Sequence, residues 1–283
     1  MTLGTYQFSF NGLTFGAGTP YVVESIDGLT SMSPLRVQDD IRGYQDGQFS
    51  GRDFYDARTV TFTILTLGDN TNNAQYYYKQ LQAALAPQVL GYYPDLGAST
   101  QPAGTLGLFQ YQLNTESLSG DSSVTGVKRL WGRVRNITTQ VNPEYTFGYI
   151  SSTVQFHFPD PRYYDDTVKT ATGTTAVSLV NNGWATAPTL ITINSPSASG
   201  GITDNVSGWY MAFSNVNTSY PLVIDTLNRT IKQNGVYVRN LLNTFNYWLT
   251  IPASTTTNWS STIGSMTISY RNAYVHFNRN GLM

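Results

Sequence analysis

Residues 156–166 read FHFPDPRYYDD, and the architecture turns on how that stretch is understood. Phe156, His157 and Phe158 close a run of alternating large and polar residues, and Pro159 and Pro161 follow one residue apart. Neither proline can donate a ladder hydrogen bond, and each biases its predecessor, Phe158 and Asp160, toward extended backbone. A strand therefore stops here, and its exit is stiff. Two readings compete: a catalytic loop carrying Asp160, Arg162, Asp165 and Asp166, or a mechanical join between two folded units. A Gly/Ser tether would leave two units independent, whereas two prolines point to a fixed relative orientation. Composition changes at the same place. Residues 1–164 hold 10 basic and 13 acidic residues, while residues 165–283 hold 6 and 4, with no Glu and a higher density of Thr, Ser and Asn. The shift favours the join. Pro159, Asp160 and Pro161 are read as the junction between a domain of residues 1–163 and one of residues 164–283.

Strand patterns dominate both sides of it. In TVTFTIL (residues 59–65) Val60, Phe62 and Ile64 alternate with threonines, a period of two that buries one face of a sheet. TVQFHF repeats the pattern with Val154, Phe156 and Phe158, SMTISY with Met266, Ile268 and Tyr270, and AYVHF with Val275 and Phe277. In TIKQNGVYV, Asn234-Gly235 supplies the two positive-φ positions of a type I′ hairpin turn. One segment reads as helix. NNAQYYYKQLQAALAP offers an Asn cap at Asn72 or Asn73, places Tyr77, Leu81 and Leu85 on one face and stops before Pro87, predicting a helix near 73–86. The expected class is mainly β, with one helix plugging a barrel end or bracing a sheet in a sandwich or split barrel.

The bulk numbers narrow the function. A chain of 283 residues can hold two ordinary domains, each with its own core. Only 12% of residues are charged, against about 25% in an average soluble protein, and the 20 tyrosines outnumber the 16 Lys and Arg. Such a weakly charged polar surface suits a protein packed against copies of itself or other subunits; an ordinary β-rich extracellular domain is the plainer reading. A net charge of −1 gives no electrostatic footprint for holding nucleic acid. No run of about 18 apolar residues is present to span a bilayer as a helix. The start, MTLGTYQFSFNGLTFG, lacks a basic region followed by an apolar one, so no secretory signal is expected. Zero cysteines exclude disulfides and thiolate chemistry, and synthesis in a cytoplasm is expected.

Chemistry-bearing patterns are sparse. His157 and His276 each sit on the polar face of a strand pattern, and neither has a partner at metal-ligand spacing. No serine stands in a Gly-x-Ser-x-Gly elbow, and the GAG at 16–18 runs into a strand pattern instead of opening a helix. Asp39-Asp40 and Asp165-Asp166 are acidic pairs, but neighbours on extended backbone point to opposite faces and cannot straddle a glycosidic bond alone. No catalytic, cofactor-binding or metal-binding residue is therefore assigned. The stretch RVQDDIRGYQDGQFSGRDFYDARTV (residues 36–60) is the most charged, with both signs interleaved. A solvated loop would make surface pairs of about 0–1 kcal/mol each. An inter-subunit contact would use the same charges to set register. On that second reading the candidate contact residues are Arg36, Asp39, Asp40, Arg42, Arg52, Asp53 and Arg58. Trp184, Trp209, Trp248 and Trp259 all fall after the junction; large rings at strand positions are core by default, with sugar stacking as the sharper alternative.

These strings also carry a resemblance. FHFPDPRYYDD, then NNGWATAPTLITI, PLVIDTLNRTIKQNGVYV and MTISYRNAYV together resemble the distal tail proteins of long-tailed, non-contractile phages. The matching positions are Asp160-Pro161, Asn182-Gly183, Pro188, Ile224, Asp225, Arg229, Ile231 and Asn234-Gly235. Where the family pattern has a Pro-Gly-x-Asn turn, this chain reads IPASTTTN, without the glycine. The resemblance is strongest over the junction and second domain; over residues 1–157 only the order of elements matches. It implies an N-terminal ring-forming domain followed by a C-terminal galectin-like β-sandwich. It implies a non-enzymatic virion protein of the tail tip, without cofactor, forming a hexameric ring. That ring would sit between the tail tube protein and other tail-tip or receptor-binding proteins, with DNA passing unbound through a central channel and no membrane insertion. Two alternatives stand beside it: a carbohydrate-binding adhesin module for host cell-surface glycan, and a wall-degrading enzyme built from acids that meet only in space.

Overall fold

The computed structural model describes residues 3–42, 46, 48–51, 53–86, 106–113, 126–140 and 146–275. The chain divides into two compact units: the described residues of 1–90, 105–163 and 275–283, and those of 164–274. Nearly all regular structure is β.

The first unit contains β1 (Gln7–Phe10), β2 (Leu13–Gly16), β3 (Tyr21–Asp27), the short strands β4 (Leu35–Arg36), β5 (Asp40–Ile41), β6 (Gln48–Phe49) and β7 (Phe54–Tyr55), then β8 (Arg58–Leu67), α1 (Thr71–Leu85), β9 (Gly107–Gln112), β10 (Lys128–Gln140) and β11 (Tyr149–Phe158). Its main sheet runs β2-β1-β9-β10-β11-β8-β3, every pair antiparallel. The alternation seen in sequence becomes one aromatic core. Val60, Phe62 and Ile64 of β8 and Val154, Phe156 and Phe158 of β11 are all fully buried, as are Phe8, Phe15 and Phe109. Phe62 is its centre: it stands edge-on to Phe8, Phe15 and Phe156 at centroid distances of 5.2, 5.6 and 5.6 Å. Each such side chain contributes about 1.5–3 kcal/mol by leaving water, and edge-to-face pairs add about 0.5–1.5 kcal/mol.

The helix begins earlier than the sequence predicts. Its cap is Asn70, whose side chain accepts the Asn73 N–H at 3.0 Å, not Asn72 or Asn73 themselves. An N-cap serves the N–H three residues on, and Asn70 and Asn73 have that spacing. Leu81 and Leu85 face inward as expected, joined by Ala74, while Tyr77 is half-buried. The helix packs on β8 and β11. The Tyr21 hydroxyl lies 3.1 Å from both the Tyr77 carbonyl and Gln80 Oε1. Burial, followed by the neighbouring Tyr77 and Tyr76, pushes its pKa up to about 12.

β12 (Tyr163–Asp165) spans the passage out of the first unit. The second then contains β13 (Lys169–Gly173), β14 (Ala176–Asn181), β15 (Thr189–Ile193), β16 (Gly200–Asp204), β17 (Tyr210–Phe213), β18 (Leu222–Asp225), β19 (Thr230–Gln233), β20 (Val236–Tyr237), β21 (Leu242–Phe245), β22 (Thr255–Ser261), β23 (Met266–Tyr270) and β24 (Ala273–Tyr274). β13 to β23 form two sheets, β13-β23-β15-β18-β19-β20 and β14-β22-β16-β17-β21, while β24 pairs with β12. Ile191, Ile193, Leu222, Ile224, Ile231, Met266 and Ile268 bury one face of the first. Leu179, Ile202, Met211, Phe213 and Trp259 bury one face of the second, which makes a β-sandwich. Asn234 and Gly235 turn the β19–β20 hairpin with φ of 50° and 76°, as the two-residue loop requires. The AYVHF strand pattern is observed only as Ala273–Tyr274; His276 and Phe277 lie outside the described residues.

Candidate functional site

Between β3 and β8 the chain makes a long excursion. β4 pairs antiparallel with β7 and β5 with β6, so the described residues of 35–55 form a two-stranded arm. Arg36, Asp39, Asp40, Arg42 and Asp53 all lie on it and all are exposed; Arg52 lies outside the described residues. No ion pair joins two of the arm's described charges. Instead Arg36 stacks 5.6 Å from the Phe54 ring and Arg42 4.9 Å from that of Phe49, and Asp39 accepts the Gly51 N–H at 2.8 Å, tying one limb to the other. The arm has no core. Val37 is 57% exposed and Phe49 61%, with Met32, Leu35, Phe54 and Tyr55 also exposed. A two-stranded ribbon is marginal in water by itself, and a run of exposed apolar side chains on a soluble protein marks an interaction surface.

Arg58 departs from the other candidates. It is 1% exposed and donates to five carbonyls: Nε to Pro161 at 3.1 Å, Nη1 to Gly28, Leu29 and Ser31 at 2.8, 3.0 and 2.7 Å, and Nη2 to Val275 at 2.5 Å. Burial pulls its guanidinium below its usual pKa, against the opposing influence of Tyr111 and Tyr163. With both ends of the fork engaged internally it is not a surface charge. It clasps the base of the arm to the double-proline segment. The Asp56 N–H, donating to the Pro34 carbonyl at 2.7 Å, closes the same base.

The double-proline segment is a self-tied turn. Asp160 accepts the Arg162 backbone N–H at 3.1 Å and takes Nε and Nη2 of Arg162 at 2.8 and 3.0 Å, a bidentate pair on one side chain. In the second unit, Arg271, 2% exposed, donates to the main-chain carbonyls of Asp165, at 3.0 Å, and Asp166. The Asp165 carboxylate takes Asn272 Nδ2 at 2.8 Å. Asp165 thus serves the architecture and not an acidic pair. The Asn181-Asn182-Gly183 string belongs to the same region. Asn181 is fully buried and spans the carbonyls of Ala185, Ile251 and Pro252, while a Cβ on Gly183 would stand 2.0 Å from the Ala273 carbonyl oxygen. At the glycine-less IPASTTTN turn, Ser254 takes up the left-handed conformation itself, φ 49°, and its N–H reaches the Gly183 carbonyl at 2.8 Å.

Other chemistry-bearing side chains are engaged elsewhere. His157 is held below its usual pKa by burial first and then by Arg135 and Arg133. Burial raises the pKa of Asp225, opposed by hydrogen bonds from Asn228 and Leu227 that make it the organiser of the β18–β19 turn. Among the described residues no group of three or more His, Asp or Glu could hold a metal ion. Of the four tryptophans after the junction, Trp259 and Trp248 are buried, Trp184 is exposed, and Trp209 packs on Tyr247 at 4.2 Å.

No protein-family model and no curated protein matches this sequence. Solved structures do. The SPP1 Dit protein, described as a paradigm of hub adsorption apparatus in Gram-positive infecting phages, superposes with a TM-score of 0.66 over 95% of this chain and 99% of its own, at 14% identity. A chain of the phage P2 baseplate in its activated conformation with Ca matches at 0.53 over 95% and 99%, with 8% identity. The Sr form matches at 0.53 over 96% and 100%, with 9% identity. Through nearly its whole length, the fold of this chain is the fold of the SPP1 Dit protein.

Proposed function

We propose that this chain is a structural, non-enzymatic subunit of a phage tail tip. Six copies close into a ring that joins the tail tube to the host-recognition apparatus and leaves a passage for DNA. The observation that carries this is the end-to-end likeness to the SPP1 Dit protein, both chains being covered almost completely. The arm supports it independently: a coreless ribbon of exposed Val37, Phe49, Arg36 and Arg42 gains stability only against another surface. A patch meeting a different patch on the next copy is a heterologous contact, which closes into a ring when the rotation permits. Arg36, Asp39, Asp40, Arg42, Arg52 and Asp53 are the contact residues in this reading, Arg58 is their anchor, and Pro159, Asp160 and Pro161 form the junction between residues 1–163 and 164–283.

The passage is assigned to the solvent face of β10, β11, β8 and β3. One face of these strands covers the aromatic core; the other pairs Thr63 with Thr153, Thr61 with Gln155 and Thr59 with His157, with Ser151 opposite Leu65. Hydroxyls and amides outnumber the exposed Arg133 and Arg135 of β10 on these strands, and Asp27 of β3 offsets them, so phosphates meet little counter-charge and DNA slides without being held. The glycan reading has less support, since two of its four tryptophans are core residues. Antibodies raised to the chain and applied to particles of the phage that encodes it should mark the tail tip where it adjoins the tube. Label confined to the capsid, or absent from intact tails, would overturn the assignment.

A further inference from the structure

The main sheet of the first unit ends in two unpaired strands. β2 pairs only with β1 and β3 only with β8, and the two edges approach without a ladder between them among the described residues. Between them lies a groove of about 490 Å³, with Tyr6, Phe8, Ala17, Val22, Val23 and Ile26 among its lining. Glu24, at the irregularity between Val23 and Ser25, is the one charged residue lining it. An open edge of this kind invites another strand unless it is blocked or covered.

We propose that this groove receives the arm of a second copy, which lays its residues 35–41 along the free edge of β3. The inference rests on the ring reading above and names its contact. Three observations and one general principle carry it. The limb of residues 35–41 and β3 (Tyr21–Asp27) have equal length. The limb brings exposed Val37 to an apolar floor and exposed Arg36 to the lone Glu24. Added strands gain main-chain hydrogen bonds from the edge and selectivity from alternate side chains. The chain's own arm is badly placed to fill the groove, because it leaves from the end of β3, and Arg58 clamps the carbonyls of Gly28, Leu29 and Ser31 there. To lie along β3 it would have to double back at a clamped base.

The chain has no cysteine, so disulfide trapping in the full-length protein is unambiguous. Val23→Cys combined with Val37→Cys should, on oxidation, give a non-reduced ladder of covalent multimers ending at six copies, with single variants stopping at dimers. A fast-migrating oxidised monomer would mean that the arm fills its own groove, and would overturn the proposal. An assembly that keeps ring mass in light scattering yet gives no ladder would overturn the groove contact and leave the ring reading intact. A protein that stays monomeric and forms no cross-link would defeat both. As a second handle, Glu24→Arg should weaken self-association at least tenfold with monomer melting unchanged, and Arg36→Glu in the same chain should restore it. Unaltered association in Glu24→Arg would also overturn the contact.

Discussion

Arg58 shows what a single position can conceal. In sequence it belongs to a mixed-charge run, yet it shares the inward parity of Val60, Phe62 and Ile64, two, four and six residues further on. Strand periodicity was the signal available, and charge outweighed it. Truncating it to Met strands five carbonyls, so Arg58→Met should destabilise the first unit by about 3–5 kcal/mol in urea unfolding. Arg58→Lys should recover only part of that, because an ammonium cannot fork. Tyr21 makes a pH prediction. Its phenol releases a proton near 10 when unfolded and near 12 when folded, so the contribution is fully present below pH 10 and is lost as pH rises toward 12. Wild type should therefore lose more melting temperature over that interval than Tyr21→Phe. Ser254, in a left-handed conformation that costs a non-glycine residue about 1–2 kcal/mol, should give a protein more stable by about 1 kcal/mol when changed to Gly.

At the scale of elements, alternation made the long strands legible because each buries one face on an apolar core: TVTFTIL and TVQFHF became β8 and β11, paired residue for residue. The Asn-Gly hairpin was equally plain, since backbone sterics at two positive-φ sites leave few residue choices. The helix was visible in type and displaced in start, because three asparagines within four residues compete for one cap. The arm was not legible as a ribbon. Its ladders are two residues long and neither limb buries a face, so no period exists to detect. In the ring reading its partner is another molecule, and a chain cannot record in periodicity what it buries elsewhere. Val37→Ser with Phe49→Ser should consequently leave monomer unfolding within about 0.5 kcal/mol of wild type. The same double change should sharply reduce self-association in sedimentation equilibrium.

For the whole molecule, two compact units share one chain that passes from the first to the second after Tyr163 and re-enters the first at Val275. A fold kept at 14% identity survives because burial pattern and turn chemistry, not residue identity, specify it. The four strings that carry the family resemblance make sense on this scale. Each supplies a bond that holds the connecting segment or the second core: Asp160 to Arg162, Asn181 to three carbonyls, Asp225 at its turn, Arg271 to Asp165 and Asp166. The assembled state is what remains to be counted, and native mass spectrometry of the purified full-length chain, paired with electron microscopy, counts it directly. The account predicts annular particles of six 31.3 kDa copies; a lone 31.3 kDa species at every concentration, with no annulus, would contradict it.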